Sequence, residues 1–423
     1  MNDSGNATRS GKTALWSWCF YDWASQAFAT VVQTFVFAAY FTNRIASDPE
    51  SGTTQWSLTI GLTGLAVAAT GPFFGAIADR TGRRKPWLAA FALLCAVATA
   101  CLWYVQPRPE DVVLALGLLA VAVFGIESAG VFYNAMLGDL ASPREYGRWS
   151  GRGWGLGYVG GICCLVAVLF LFGGEGESVG PNVGSVRATY PFVGAWIVAF
   201  TLPLLLLAPD RGGSGEPWRD SVVEGLGQLR ETLKTLPRHR GLLRFLIARA
   251  IYTDGLATLF ALAGVYAAGT FGMEGSEILV FGIALNISAG LGSVLFSRID
   301  DRVGSRRTIL ASLAGLFCFV VLALAAPSEF WFWTFGLLLG LFVGPVQSSS
   351  RSYLSHLAPE SLRAQMFGLY ALASKATSFS GPLLVGGITA LAGSQRIGLA
   401  VIPVYFAVGW LVLRKVPEAK GPS

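Results

Sequence analysis

Long apolar stretches alternate with short polar connectors along this chain. Apolar segments cover residues 16–41, 57–78, 86–105, 112–135, 153–172 and 189–207. After a longer polar break they resume over 242–270, 278–297, 308–326, 331–350, 366–391 and 397–413. Each is near the roughly 20 residues that a helix needs to cross the hydrocarbon core of a bilayer. The pattern therefore predicts an all-α integral membrane protein with twelve transmembrane helices, six on either side of the break. Its parts are an N-terminal half over 1–207, a linker over 208–241 and a C-terminal half over 242–423.

The linker has a pattern of its own. Val222, Leu226, Leu229, Leu233 and Leu236 recur at spacings of four and three, with Glu224, Arg230, Glu231 and Lys234 elsewhere around the helix. This predicts an amphipathic helix, lying either in the membrane interface or against the ends of the bundle.

Composition supports the membrane assignment, because only 13% of the 423 residues are charged, whereas a soluble domain carries about a quarter. The net charge of +6 is explained by topology. Of the 31 basic residues, Arg44, Arg108, Arg187 and Arg396 occupy one set of connectors, and Arg249 and Lys375 lie inside apolar segments. The other 25, with Arg351 counted among them, fall on the opposite set and on the termini. Positive residues stay inside. Both termini are expected in the cytoplasm, in a plasma or inner membrane. The expected partners are the lipid bilayer and a small molecule, with no nucleic acid, and the chain is expected to work as a monomer.

Chemistry inside the bilayer is limited. His239 and His356 both lie in polar connecting segments, and the six Cys lack metal-ligand spacing. No metal, no cofactor and no enzymatic reaction centre is expected.

The two halves echo one another. Gly75-Ala-Ile-Ala-Asp79-Arg80-Thr-Gly82-Arg83-Arg84-Lys85 follows the second segment, and Ser297-Arg-Ile-Asp-Asp301-Arg302-Val-Gly304-Ser-Arg306-Arg307 follows the eighth. Leu140-Ala-Ser-Pro143 returns as Leu357-Ala-Pro359, and Tyr21-Asp22 before Phe28 is matched by Tyr252-Thr-Asp254 before Phe260. Three matches in one order indicate a duplicated six-helix unit, whose halves are expected to enclose a site near the bilayer midplane.

The Gly75–Lys85 run resembles the loop 2–3 motif of the major facilitator superfamily, and the likeness extends over nearly the whole chain. Tyr21–Thr30, the glycine-rich Gly153–Gly161 and Phe367–Pro382 are similar to the vacuole-effluxer branch, which includes the fungal vacuolar amino-acid effluxer. The resemblance implies the major facilitator fold and secondary active transport by alternating access, with an amino acid as first candidate substrate. A cation-coupled sugar symporter and a non-transporting sensor are the alternatives, and coupling to protons or sodium is open. It also implies a conformational latch of Gly75, Asp79, Arg80, Gly82, Arg83, Arg84, Asp301 and Arg302. Asp79 would accept from a helix N-terminus or an Arg and tie the halves together in one conformer.

Ionisable residues inside apolar helices are costly, so Asp22, Glu127, Arg249, Asp254 and Lys375 must pair or face a wet cavity. Glu127 and Lys375, both expected at mid-bilayer, form either a structural pair or part of a coupling site. In the repeat, Gln347 is placed within a residue of the Glu127 position. Arg249 lies close enough to Asp254 along its helix for a local pair, whereas Asp22 has Ser25 and Gln26 at i+3 and i+4 and no cation nearby. Asp22 is therefore expected to bind an ion or an amine. Tyr21 and Tyr252, beside the acids, complete the candidate set.

Overall fold

The computed structural model describes residues 3–172, 183–210, 224, 227, 229–232, 234–273, 275–375, 377 and 380–418. Most of the expected linker helix, Val222, Leu226 and Leu233 included, lies outside the described residues.

Among the described residues, eleven helices are long and apolar enough to cross a membrane. In the first half these are α1 (Gly11–Ile45), α2 (Pro49–Thr81), α3 (Lys85–Cys101), α4 (Val112–Leu140), α5 (Tyr146–Phe172) and α6 (Val183–Leu207). In the second they are α7 (Arg240–Phe271), α8 (Gly275–Val303), α9 (Ser305–Leu324), α10 (Glu329–Leu357) and α13 (Gln395–Arg414). The expected eleventh segment is split into α11 (Arg363–Lys375) and α12 (Ser380–Ala392). Pro382, which lacks an N–H and restricts the residue before it, sits in the first turn of α12. A carboxylate from α7 holds that turn: Asp254 accepts from the Gly381 N–H at 3.3 Å and from the Ser380 hydroxyl.

Large apolar side chains face outward around the bundle, Phe170 at 86% exposure and Leu391 at 90% among them. In water such surface would be buried. Here it is the lipid-facing surface of an integral membrane protein, whose helices satisfy their backbone groups largely within themselves.

The basic motifs owe their shape to glycine. Asp48 caps the start of α2 by accepting from the Ser51 N–H at 2.9 Å, and α2 ends at Gly82 with φ +69°. Gly304, between α8 and α9, also takes a positive φ, +94°, though with an extended ψ of 143° rather than the left-handed turn of Gly82. A side chain at either position would strain the backbone, so each loop keeps its glycine.

Two helix pairs cross between the halves at the face carrying these loops: α2 packs on α11, and α5 packs on α8. Both depend on residues without bulk. A Cβ at Gly75 would fall on the Ala364 carbonyl and lie 2.8 Å from Gln365 Cα, and one at Gly151 would lie 2.5 Å from both the Ser293 carbonyl oxygen and Ser297 Cβ. Further along α5, Gly153 and Gly157 give Asp22 and Gln26 of α1 their space.

Candidate transport site

At the basic-loop face, Asp79 is the hub of a buried network. Its Oδ1 accepts from the Ala364 N–H at 3.0 Å and its Oδ2 from the Gln365 N–H at 2.8 Å, so a carboxylate of the first half caps α11 of the second. Arg84 Nη2 donates to Asp79 Oδ1 at 3.0 Å, while Arg84 Nη1 donates to the Ala135 carbonyl at 2.9 Å and pairs with Asp139. From the second half, Arg363 donates to the Gly138 carbonyl at 2.6 Å and to Asp139 at 3.1 Å.

The repeat copies this arrangement. Asp301 accepts from the Arg148 N–H at 3.0 Å and pairs with the Arg148 side chain at 3.4 Å, which caps α5 of the first half. Each half thus caps a helix of the other. Among the other latch candidates, Arg83 and Arg302 are exposed, and Arg80 pairs with Glu224 of the linker at the surface. Arg84, a latch candidate, is the buried cation of this network, while Asp139, Arg148 and Arg363 supply the further cations and the additional acid that the motif did not single out.

Deeper in the bundle, a cavity of about 310 Å³ opens between the halves. Its walls include Tyr21, Asp22, Gln26, Gln33, Glu127, Tyr133, Asn134 and Trp154 from the first half, and Arg249, Thr253, Gln347, Arg351, Phe367 and Tyr370 from the second. Asp22 has a partner after all. Its Oδ2 accepts from the Tyr133 hydroxyl at 2.7 Å and from Arg351 Nη1 at 3.1 Å. The cation comes from the opposite half, which correct local spacing could not reveal.

Arg351 does not serve as a loop charge, as the topology count assumed. It is 2% exposed and fully engaged. Nε donates to Ser150 Oγ at 2.8 Å, Nη2 to the Ser150 carbonyl at 2.7 Å, and Nη1 also to Asn134 Oδ1 at 3.3 Å. The Trp18 ring lies 4.7 Å from its guanidinium carbon and stacks on Tyr133.

The remaining candidates separate. Tyr21, Glu127 and Gln347 line the cavity, and the Tyr21 hydroxyl is buried with no hydrogen-bond partner among the described residues. Gln347, which lies between the two repeat offsets carried from Glu127, also faces the cavity. Tyr252 is buried away from it, bonded to Ser350 Oγ at 2.6 Å. Asp254 is spent on capping α12, and Arg249 forms no ion pair with it among the described residues. The repeat match of Asp22 with Asp254 therefore does not extend to position. The Lys375 side chain, and with it the expected Glu127–Lys375 contact, lies outside the described residues.

The profile of the family described as "Vacuole effluxer Atg22 like" matches residues 10–423. The chain belongs to this family. Among similar proteins, the "Uncharacterized MFS-type transporter YxiO" of Bacillus subtilis (strain 168) is 28% identical over 408 residues, covering 95% of this chain and 94% of the relative. "Autophagy-related protein 22" of Coccidioides immitis (strain RS) is 26% identical over 309 residues, covering 66% of this chain and 50% of that one. The chain spans about half the length of such fungal relatives.

The Atg22-like chain shares its fold with solved major facilitator structures. The proton:xylose symporter XylE bound to 6-bromo-6-deoxy-D-glucose superposes with a TM-score of 0.73 at 14% identity, covering 98% of both chains. FucP in the outward conformation gives 0.74 at 15% identity, covering 96% of this chain and 99% of that one. This Atg22-like protein is an integral-membrane secondary transporter of a small solute working by alternating access, and not an enzyme.

Proposed function

We propose that this transporter carries an amino acid through the cavity between its halves, with the basic-loop face cytoplasmic and the chain acting as a monomer. The observation that carries the reading is the cavity's charge pattern. Asp22 and Glu127 share its walls with Arg249 and Arg351, and aromatic rings line the same cavity. A zwitterion presents both signs of charge to such a wall, and about 310 Å³ lies at the lower end of small-molecule cavities.

Coupling follows from the same geometry. A proton, a sodium ion or a substrate ammonium reaching Asp22 competes with Arg351 for its carboxylate and so weakens a tie between the halves. A ligand that alters that tie biases one conformer over the other.

Cation-coupled sugar transport is the second reading. Gln26, Gln33, Asn134 and Gln347 offer neutral hydrogen-bonding groups suited to hydroxyls, and two proteins of this fold are a proton:xylose and a fucose:proton symporter. Thermal unfolding of the purified protein with neutral L-amino acids or with pentoses and hexoses separates the readings, because a ligand of the native state raises its stability. Stabilisation by amino acids alone supports the first; stabilisation by sugars alone replaces it with the second.

A further inference from the structure

We propose that Arg249 is the docking residue for a substrate carboxylate. The inference rests on the transport reading and adds the group that the cavity recognises.

Arg249 and Arg351 line one cavity yet differ in how far they are satisfied. Every nitrogen of Arg351 donates to a protein oxygen. Arg249 is 5% exposed, and its Nε and Nη1 are buried with no hydrogen-bond partner among the described residues. Among the described residues it makes no ion pair. Its guanidinium rests on the Tyr370 ring, 3.7 Å from the centroid, with the Tyr252 ring at 5.9 Å. Those rings fix the plane of the fork and leave its Nε and Nη1 donors unused among the described residues.

A guanidinium stays charged in proteins, and a buried charge without hydrogen bonds is a strained arrangement unless something enters to complete it. Nε and Nη1 belong to the two different edges by which a guanidinium grips a carboxylate, so donors remain free on both. A carboxylate fits this requirement in charge and in shape. A sugar hydroxyl leaves the charge unbalanced.

The test is equilibrium binding to the purified full chain, wild type, Arg249→Gln and Arg249→Lys. The probes are L-alanine, L-leucine and L-phenylalanine with their carboxamides, and the amine-free 4-methylpentanoate with its amide. Wild type should prefer each acid over its amide by roughly 10- to 100-fold, the size of one lost charge-assisted hydrogen bond in a buried site. Arg249→Gln should abolish that preference by weakening the acids and leaving the amides unchanged. Arg249→Lys should restore part of it, since the charge returns without the planar fork.

Equal binding of acids and amides by wild type overturns the proposal and needs no variant that folds. Equal loss of acids and amides in a folded Arg249→Gln also overturns it. Amino-acid transport with no acid preference removes Arg249 from the site but leaves the transport reading intact. Arg249-dependent binding of 4-methylpentanoate without amino-acid binding does the reverse.

Discussion

Arg351 of α10 holds Asp22 of α1 across 329 residues of sequence, Nη1 to Oδ2 at 3.1 Å, and in doing so joins the two halves beside the cavity. Both side chains are buried, so removing either partner leaves an uncompensated charge, at a cost of about 3–5 kcal/mol. Asp22→Asn and Arg351→Gln should each reduce the yield of folded protein or the thermal midpoint more than the double substitution does. A double-mutant cycle on unfolding checks this, and additive losses would mean that the pair is not energetically coupled.

The sequence reading was strong where local spacing carries the physics and weak where partners meet only in the fold. Helix number, duplication and the Asp79 motif follow from hydropathy and short-range pattern. Arg351 escaped because it ends an apolar run and looked like a loop charge. Its signal was the surrounding Ser348-Ser349-Ser350 and Ser352, a polar cluster that has no reason to continue a lipid-facing helix. Asp22 seemed unpaired because i+3 and i+4 were the only neighbours that spacing could inspect. The break in the eleventh segment had a signal in the polar run Ser374-Lys375-Ala-Thr377-Ser378-Phe-Ser380-Gly381-Pro382, which the apolar residues on either side masked.

Asp79→Asn should open the basic-loop face. It weakens two charge-assisted bonds to the start of α11 and leaves buried Arg84 with Asp139 as its remaining acid. Each such bond contributes about 1.5–3 kcal/mol, enough to shift a two-state balance by tenfold or more. Distances between spin labels placed on the basic-loop ends of α2 and α11 should lengthen in the variant. Unchanged distances would contradict the latch.

Asp301→Asn should have the smaller effect of the two. Arg148, its side-chain partner, is 39% exposed, whereas Arg84 and Asp79 are 1% and 0% exposed. Solvent-exposed pairs contribute at most about 1 kcal/mol. The same labelling applied to α5 and α8 should show a partial opening, and an effect exceeding that of Asp79→Asn would reverse the assigned ranking.

Gly75→Ala should block closure sterically, because its Cβ would overlap the Ala364 backbone. Gly61→Ala on the same helix is the control, since its Cβ would meet nothing within 4 Å. Cysteine-labelling rates at the α2–α11 contact should rise in Gly75→Ala and stay at the parent value in Gly61→Ala. Matching rates in both variants would show that close approach at Gly75 is not required.

Counterflow in proteoliposomes tests the central claim most directly. Vesicles preloaded with a neutral L-amino acid and carrying the wild-type protein should take up the same labelled amino acid transiently and saturably. Uptake should vanish when the protein is omitted and fall at least tenfold in Arg249→Gln. Amino-acid counterflow no greater than in protein-free vesicles, alongside robust counterflow of xylose or fucose, would contradict the account.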